Sequence, residues 1–158
     1  LCSDVERKRL HGYQATADTG SGVQSGIYSA SASERTYARL AELATEVLAG
    51  GYPVIVDATF LMQAQRRRFR ALAAAQAGPF VLLQFKADRD TLLRRVRRRQ
   101  AEGTDPSEAG IEVLEAQLAS QQPLLPEEQA GLIRVDSAAG QPLDELLNRL
   151  VRHLAPAR

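Results

Sequence analysis

The sequence carries one cysteine, two histidines and one methionine among its 158 residues. Cys2 alone can form no disulfide within the chain, and such sparse cysteine fits a reducing, cytoplasmic compartment. His11 and His153 lie far apart. The sequence therefore shows neither metal-ligand spacing nor a Ser/His/Asp pattern, and Cys2 has no evident base partner. No apolar run approaches the roughly 20 residues that cross a bilayer. The first residues lack the charged and apolar blocks of a signal peptide, so no membrane partner is expected. Excess charge is also scarce: the formal net charge is +1, which argues against a general polyanion binder. Internal repeats and low-complexity tails are absent.

What is present suits one domain of ordinary composition, with 44% apolar and 25% charged residues and length enough to bury a sizeable core. Its centre is Gly51–Phe60, where Val54-Ile55-Val56 follows a Gly-Gly-Tyr-Pro turn and ends at Asp57. A short β-branched run of this kind predicts a strand covered on both faces. Two further strands are expected at 80–85 and 131–136. Helices are predicted between them. The first starts at Ser3 as an N-cap. The second has a Ser31–Glu34 capping box. Further helices are expected at about 62–77, at 89–100 after Asp88, from Ser107 to about 119, and at 143–154. Alternating strands and helices predict an α/β fold with a parallel sheet and right-handed crossovers. Residues 12–32, rich in Gly, Ser, Ala and Thr, read as a long loop of functional or disordered type.

Three features carry chemistry. Asp57 closes a strand, at the edge where open α/β sheets place ligands, although a simple turn cap would explain it equally well. Asp4 and Arg7 are three apart on one predicted helix, hence on one face. Arg95 and Arg99 are four apart in an arginine-rich helix, with Arg94 and Arg98 a second such pair. Forked guanidinium groups at that spacing can grip neighbouring phosphate oxygens, while a solvated surface face is the plain alternative. Together these residues suit phosphoryl transfer, which needs a metal-organising acid, a group orienting the attacking hydroxyl, and cations against developing charge.

With those residues in view, the chain resembles the P-loop kinase family, in particular AAA-like ATPase/kinase domains similar to polynucleotide kinase and gluconate kinase. The resemblance rests on Ser3 through Leu10, on Gly51 through Phe60 with Arg66 beyond, and on Leu92 through Arg99. It extends to Asp105-Pro106-Ser107-Glu108-Ala109, Val113-Leu114 and Gln117. It implies a P-loop NTPase-like domain with a lid at about 89–120. In that domain Asp4 is the acid that orients or deprotonates the accepting hydroxyl, and Arg7 holds the substrate. Asp57 is a Walker-B-like acid that meets Mg²⁺ through water, with Thr59 beside the phosphates. Arg66 is a further substrate-side arginine, and Arg95 and Arg99 are lid arginines on ATP. The implied activity is ATP- and Mg²⁺-dependent phosphorylation of a hydroxyl on a small molecule or a nucleic-acid end. Relatives of this type are often fused to a second phosphotransferase-like domain, so an upstream partner domain is expected.

One departure is large. The family's G-x-x-x-x-G-K-[ST] loop is absent from the 158 residues, and neither Gly20-Ser21-Gly22 nor Gly50-Gly51 is followed by Lys-Ser or Lys-Thr. The chain opens Leu-Cys-Ser-Asp, as though at the end of a second strand. The expectation is therefore an N-terminally truncated domain, inactive without its first strand and phosphate loop. The alternative is a non-catalytic module of the same fold that binds nucleotide, nucleic acid or protein.

Overall fold

The computed structural model describes residues 1–22, 25–103, 105–138, 140 and 142–154. Helix α1 spans Ser3–Leu10, with Asp4 and Glu6 in its first turn and Arg7, Lys8 and Arg9 in its last, the arrangement that opposes the helix dipole. Ser3 lies inside the helix rather than at the cap. Cys2 takes the cap position without a side-chain bond, and the Ser3 N–H instead donates to the Asp57 carbonyl at 2.9 Å. A neighbouring chain segment thus satisfies one of the amides that a helix start leaves open.

That neighbour is the central stretch. Leu1 N donates to Ile55 O at 2.8 Å, and Asp57 N donates to Leu1 O at 2.8 Å. Residues 1–3 and 55–57 therefore run parallel, joined at a bridge between Cys2 and Asp57. The expected strand is a single bridge with one covered face, not a regular strand covered on both. Successive side chains point to opposite sides. Val54 and Val56 pack on the core, while Ile55 is 79% exposed.

Helix α2, Ala30–Ala49, begins two residues ahead of the expected capping box. Ser29 Oγ accepts from Ala32 N at 3.2 Å, and Glu34 is engaged by Arg68 instead. The core forms where α2 meets α3 (Gln63–Ala75). Tyr37, Leu40, Ala44 and Phe69 are buried there. The rings of Tyr37, Phe60 and Phe69 meet edge to face at 5.5, 6.5 and 5.2 Å between centroids, a preferred aromatic geometry.

Strands β1 (Leu82–Lys86) and β2 (Leu132–Asp136) pair in parallel from Leu82↔Leu132 to Lys86↔Asp136. Entry to β2 requires a glycine. Gly131 has φ +79°, and a Cβ there would stand 2.8 Å from the Phe80 carbonyl oxygen. The crossover between the strands holds α4, Arg89–Glu102, and α5, Ile111–Ser120. Asp88 caps α4 as expected, accepting from Thr91 N at 2.8 Å. Helix α5 starts behind Gly110, leaving Ser107 in the preceding turn, where its N–H donates to Asp105 Oδ1 at 2.7 Å. Helix α6, Leu143–Leu154, contacts β2, yet Leu143, Leu147, Val151 and Leu154 are exposed, as is Phe85 on β1. Among the described residues no hydrogen bond joins the 1–3/55–57 pair to the β1/β2 pair. No described helix is long and apolar enough to cross a membrane.

Candidate functional site

Asp4 and Arg7 sit one turn apart on α1, with Arg7 Nε 3.9 Å from Asp4 Oδ1. Arg7 is buried. Its Nη1 donates to Ile27 O at 3.1 Å and to Ser33 Oγ at 3.2 Å, and its guanidinium lies 5.2 Å from the Tyr28 ring centroid. This ties α1 to the short 3-10 turn Gly26–Tyr28 and to the start of α2. Burial pushes the Asp4 carboxyl above its ordinary value. The Ser107 side chain and the charges of Arg7 and Arg99 pull against that rise, and Asp105 adds to it.

Three of those neighbours, Arg99, Asp105 and Ser107, come from α4 and the turn that follows it. Arg99, on α4, donates from Nη2 to Ala109 O, while its buried Nε has no partner among the described residues. Glu108, in the same segment, takes two hydrogen bonds from Thr19, at 2.7 Å from its N–H and 2.5 Å from its hydroxyl. The 12–22 loop and the 105–109 segment are therefore joined to each other beside α1. Tyr28 belongs to this cluster, and the motif spacing gave no notice of it. The available signal was one of two aromatics, with Tyr13, in a stretch rich in Gly, Ser, Ala and Thr.

Asp57 adjoins this group through the backbone, since its carbonyl accepts from Ser3, the residue before Asp4. Its carboxylate is exposed and has no partner among the described residues. Two residues on, Thr59 Oγ1 is 3.4 Å from Tyr37 Oη, which also accepts from Phe60 N at 3.0 Å. Phe60 has φ 47°, an uncommon conformation for a bulky residue. Arg66 Nη1, donating to Phe60 O at 3.0 Å, helps to hold it.

Arg66 itself is turned inward. Its Nε and Nη2 fork onto Glu128 at 2.6 and 3.1 Å, and further donors reach Leu61 O at 3.2 Å and Pro123 O at 3.0 Å. Guanidinium has five N–H donors, and all five have acceptors inside the protein. None remains for a substrate, which sets Arg66 apart from the substrate-side role implied by the family resemblance. Arg95 and Arg99 diverge as well. Arg95 is exposed and donates to Ser137 Oγ at 2.9 Å beyond the end of β2, whereas Arg99 faces the Asp4 cluster. The other spaced pair is held on its own helix, Arg94 by the Thr91 hydroxyl and Arg98 by Glu102.

A cavity of about 650 Å³ opens at the carboxyl ends of β1 and β2, lined by Lys86, Asp88, Arg134, Asp136 and Arg149 among others. Open parallel sheets place ligands at such ends. Among the described residues no group of three His, Cys, Asp or Glu side chains could enclose a metal ion. Asp57, at the bridge with Cys2, offers an exposed carboxylate without a partner among the described residues.

Residues 1–124 match the family model of an AAA domain. The fold is similar to a solved crystal structure from Chloroflexus aurantiacus j-10-fl, of a protein provisionally assigned as a kinase. The TM-score is 0.65 at 19% identity, over 98% of this chain and 83% of that one. No curated protein matches the chain in sequence. At that identity the structural likeness speaks for the fold alone, whereas the family match takes in most of the chain. The chain belongs to the AAA domain family and has the parallel α/β fold of its nucleotide-binding, P-loop kinase-like members.

Proposed function

We propose that this domain transfers the γ-phosphoryl group of ATP to a hydroxyl group of a small molecule or a nucleic-acid end. The environment of Asp4 carries this reading. A carboxylate at a helix start, with its pKa raised by burial, is flanked by two arginines from α1 and α4. A base works best when its pKa lies near the working pH, and burial moves Asp4 in that direction. The acceptor hydroxyl gives its proton to Asp4 as its oxygen bonds to the γ-phosphorus. The bond from that phosphorus to the β,γ-bridging oxygen breaks, and ADP leaves with the electron pair. Arg7 orients the acceptor, Arg99 opposes the charge that develops on the phosphoryl oxygens, and Arg95 and Thr59 lie on the nucleotide side.

Mg²⁺ typically keeps several waters and needs only one or two carboxylates besides phosphate oxygens. The exposed, unpartnered Asp57 fits that demand through water, and the ion would supply charge neutralisation there. The described residues contain no glycine cradle for phosphates.

The test is ATP-dependent phosphorylation by the full-length protein and its Asp4→Asn variant. Turnover should disappear with nucleotide affinity nearly unchanged. Wild-type turnover by the variant would remove Asp4 from the reaction. Salt-dependent oligonucleotide binding without ATP hydrolysis would favour the non-catalytic module instead.

A further inference from the structure

The short segment 57–60 is pinned at both ends. At one end Asp57 N donates to Leu1 O at 2.8 Å and Asp57 O accepts from Ser3 N at 2.9 Å. At the other, side chains take both backbone groups of Phe60. Its N–H donates to Tyr37 Oη at 3.0 Å, and its carbonyl accepts from Arg66 Nη1 at 3.0 Å. Phe60 stands at φ 47°, and a bulky residue keeps such a backbone only where its surroundings over-determine it. Between the two pins, Asp57 and Thr59 are exposed, whereas Tyr37 is 3% exposed and belongs to the core.

The hydrogen bonds of Tyr37 have a direction. A backbone N–H can only donate, so Tyr37 Oη is the acceptor for Phe60. Its own single proton then has one partner among the described residues, Thr59 Oγ1 at 3.4 Å. The reverse arrangement, with Thr59 donating, would leave a buried phenolic proton unpaired, which folded proteins rarely tolerate. Burial pushes the Tyr37 hydroxyl above its ordinary value, over the opposing pull of its bonds to Thr59 and Phe60, so the proton stays in place. Thr59 has no other hydrogen-bond partner among the described residues. With Tyr37 occupying one of its lone pairs, its hydroxyl proton is left to donate on the exposed side. We propose that Tyr37 is a positioning residue whose buried hydroxyl holds the 57–60 turn and presents Thr59 as an oriented donor to a phosphate oxygen of ATP. The inference rests on the phosphoryl-transfer reading and deepens it, since Tyr37 acts only through Thr59. Ionised phosphate oxygens accept hydrogen bonds, and a donor oriented in advance binds more tightly than one ordered on arrival.

The experiment is a double-mutant cycle in the full-length protein. Tyr37→Phe keeps the ring packed against Phe60 and Phe69 and removes only the oxygen, and it is combined with Thr59→Val and Thr59→Ser. Calorimetry measures binding of Mg²⁺ with an ATP analogue whose β,γ bridge cannot be cleaved. Thr59→Val should weaken binding about tenfold, the scale of one hydrogen bond to a charged group. Tyr37→Phe should weaken it about fivefold where residue 59 is Thr or Ser and leave it unchanged in Thr59→Val. A merely structural tyrosine would lower the ligand-free melting temperature yet weaken binding by the same factor whatever stands at 59. Such additive losses overturn the proposal. So does unchanged affinity in Tyr37→Phe, or a wild type that does not bind the analogue. Wild-type affinity in Thr59→Val also overturns it, and that surface change tests the donor without disturbing the core. Phosphoryl transfer is read separately. Coupled losses of binding without transfer keep this inference and remove the kinase reading, while transfer with additive losses does the reverse.

Discussion

Glu108 receives both hydrogen bonds that Thr19 can donate from its amide and hydroxyl, so one carboxylate fastens a loop 89 residues distant in sequence. Hydrogen bonds to charged groups contribute about 1.5–3 kcal/mol each. Glu108→Ala should therefore raise amide hydrogen exchange at Thr19 and Gly20 by tenfold or more and speed proteolysis within 12–22. Exchange equal to wild type would mean that the loop is held by other contacts.

Asp4 gives a pH prediction whose sign follows from its raised pKa. The group's folded-state pKa lies above its unfolded value of 3.8, with burial the largest cause. Its contribution to stability is fully present below that value and is lost as pH rises through the folded one. A hydrogen bond from the Ser107 side chain and the charges of Arg7, Arg99 and Asp105 tune the shift. Asp4→Asn should therefore gain stability relative to wild type between pH 4 and pH 7, measured by paired denaturant titrations, while turnover disappears. A gap that does not change with pH would contradict the buried carboxylate.

Arg66 and Glu128 should behave as one unit. Hydrogen bonding to Arg66, ahead of opposing desolvation, holds the Glu128 carboxyl below its usual 4.5. Its stabilisation is present above that value and lost as pH falls through the folded one. Glu128→Leu strands a buried guanidinium and should cost about 3–5 kcal/mol at pH 7. The deficit should shrink below pH 4. A double-mutant cycle with Arg66→Met should recover part of the loss, and strictly additive effects would sink the idea.

The two lid arginines should separate kinetically. Arg99 faces the Asp4 cluster, whereas Arg95 is bonded to Ser137 at the end of β2. Arg99→Ala should lower kcat tenfold or more, in the range of lost transition-state donors. Arg95→Ala should act mainly on KM for ATP. Equal effects of both variants on kcat would return them to a single site.

Much of this was legible in the chain. Asp88 capped its helix, β1 and β2 paired in parallel, and the Asp4–Arg7 spacing put both on one face, because local chemistry decides such features. Arg66 was not legible as a clamp. Its partner Glu128 lies 62 residues away, and nothing local distinguishes an arginine aimed inward from one aimed at a ligand. Ser3 and Ser107 misled for a related reason. The Ser3 N–H donates across the fold to Asp57 O, and the Ser107 N–H donates to Asp105 Oδ1 in a local turn, so neither serine stands at the cap its spacing suggested. Val54-Ile55-Val56 read as doubly buried because composition does not say which face has a neighbour.

Helix α2 reaches both halves of the site within little more than one turn. Ser33 Oγ takes a hydrogen bond from Arg7, and four residues later Tyr37 Oη contacts Phe60 N and Thr59. With Thr36, Tyr37 and Leu40 at 0–3% exposure, that turn is clamped and moves as a stiff body. A shift of α2 along its axis would therefore drag the Arg7 side and the Thr59 side together. The helix works as a connecting rod, and the two halves of the site share its motion.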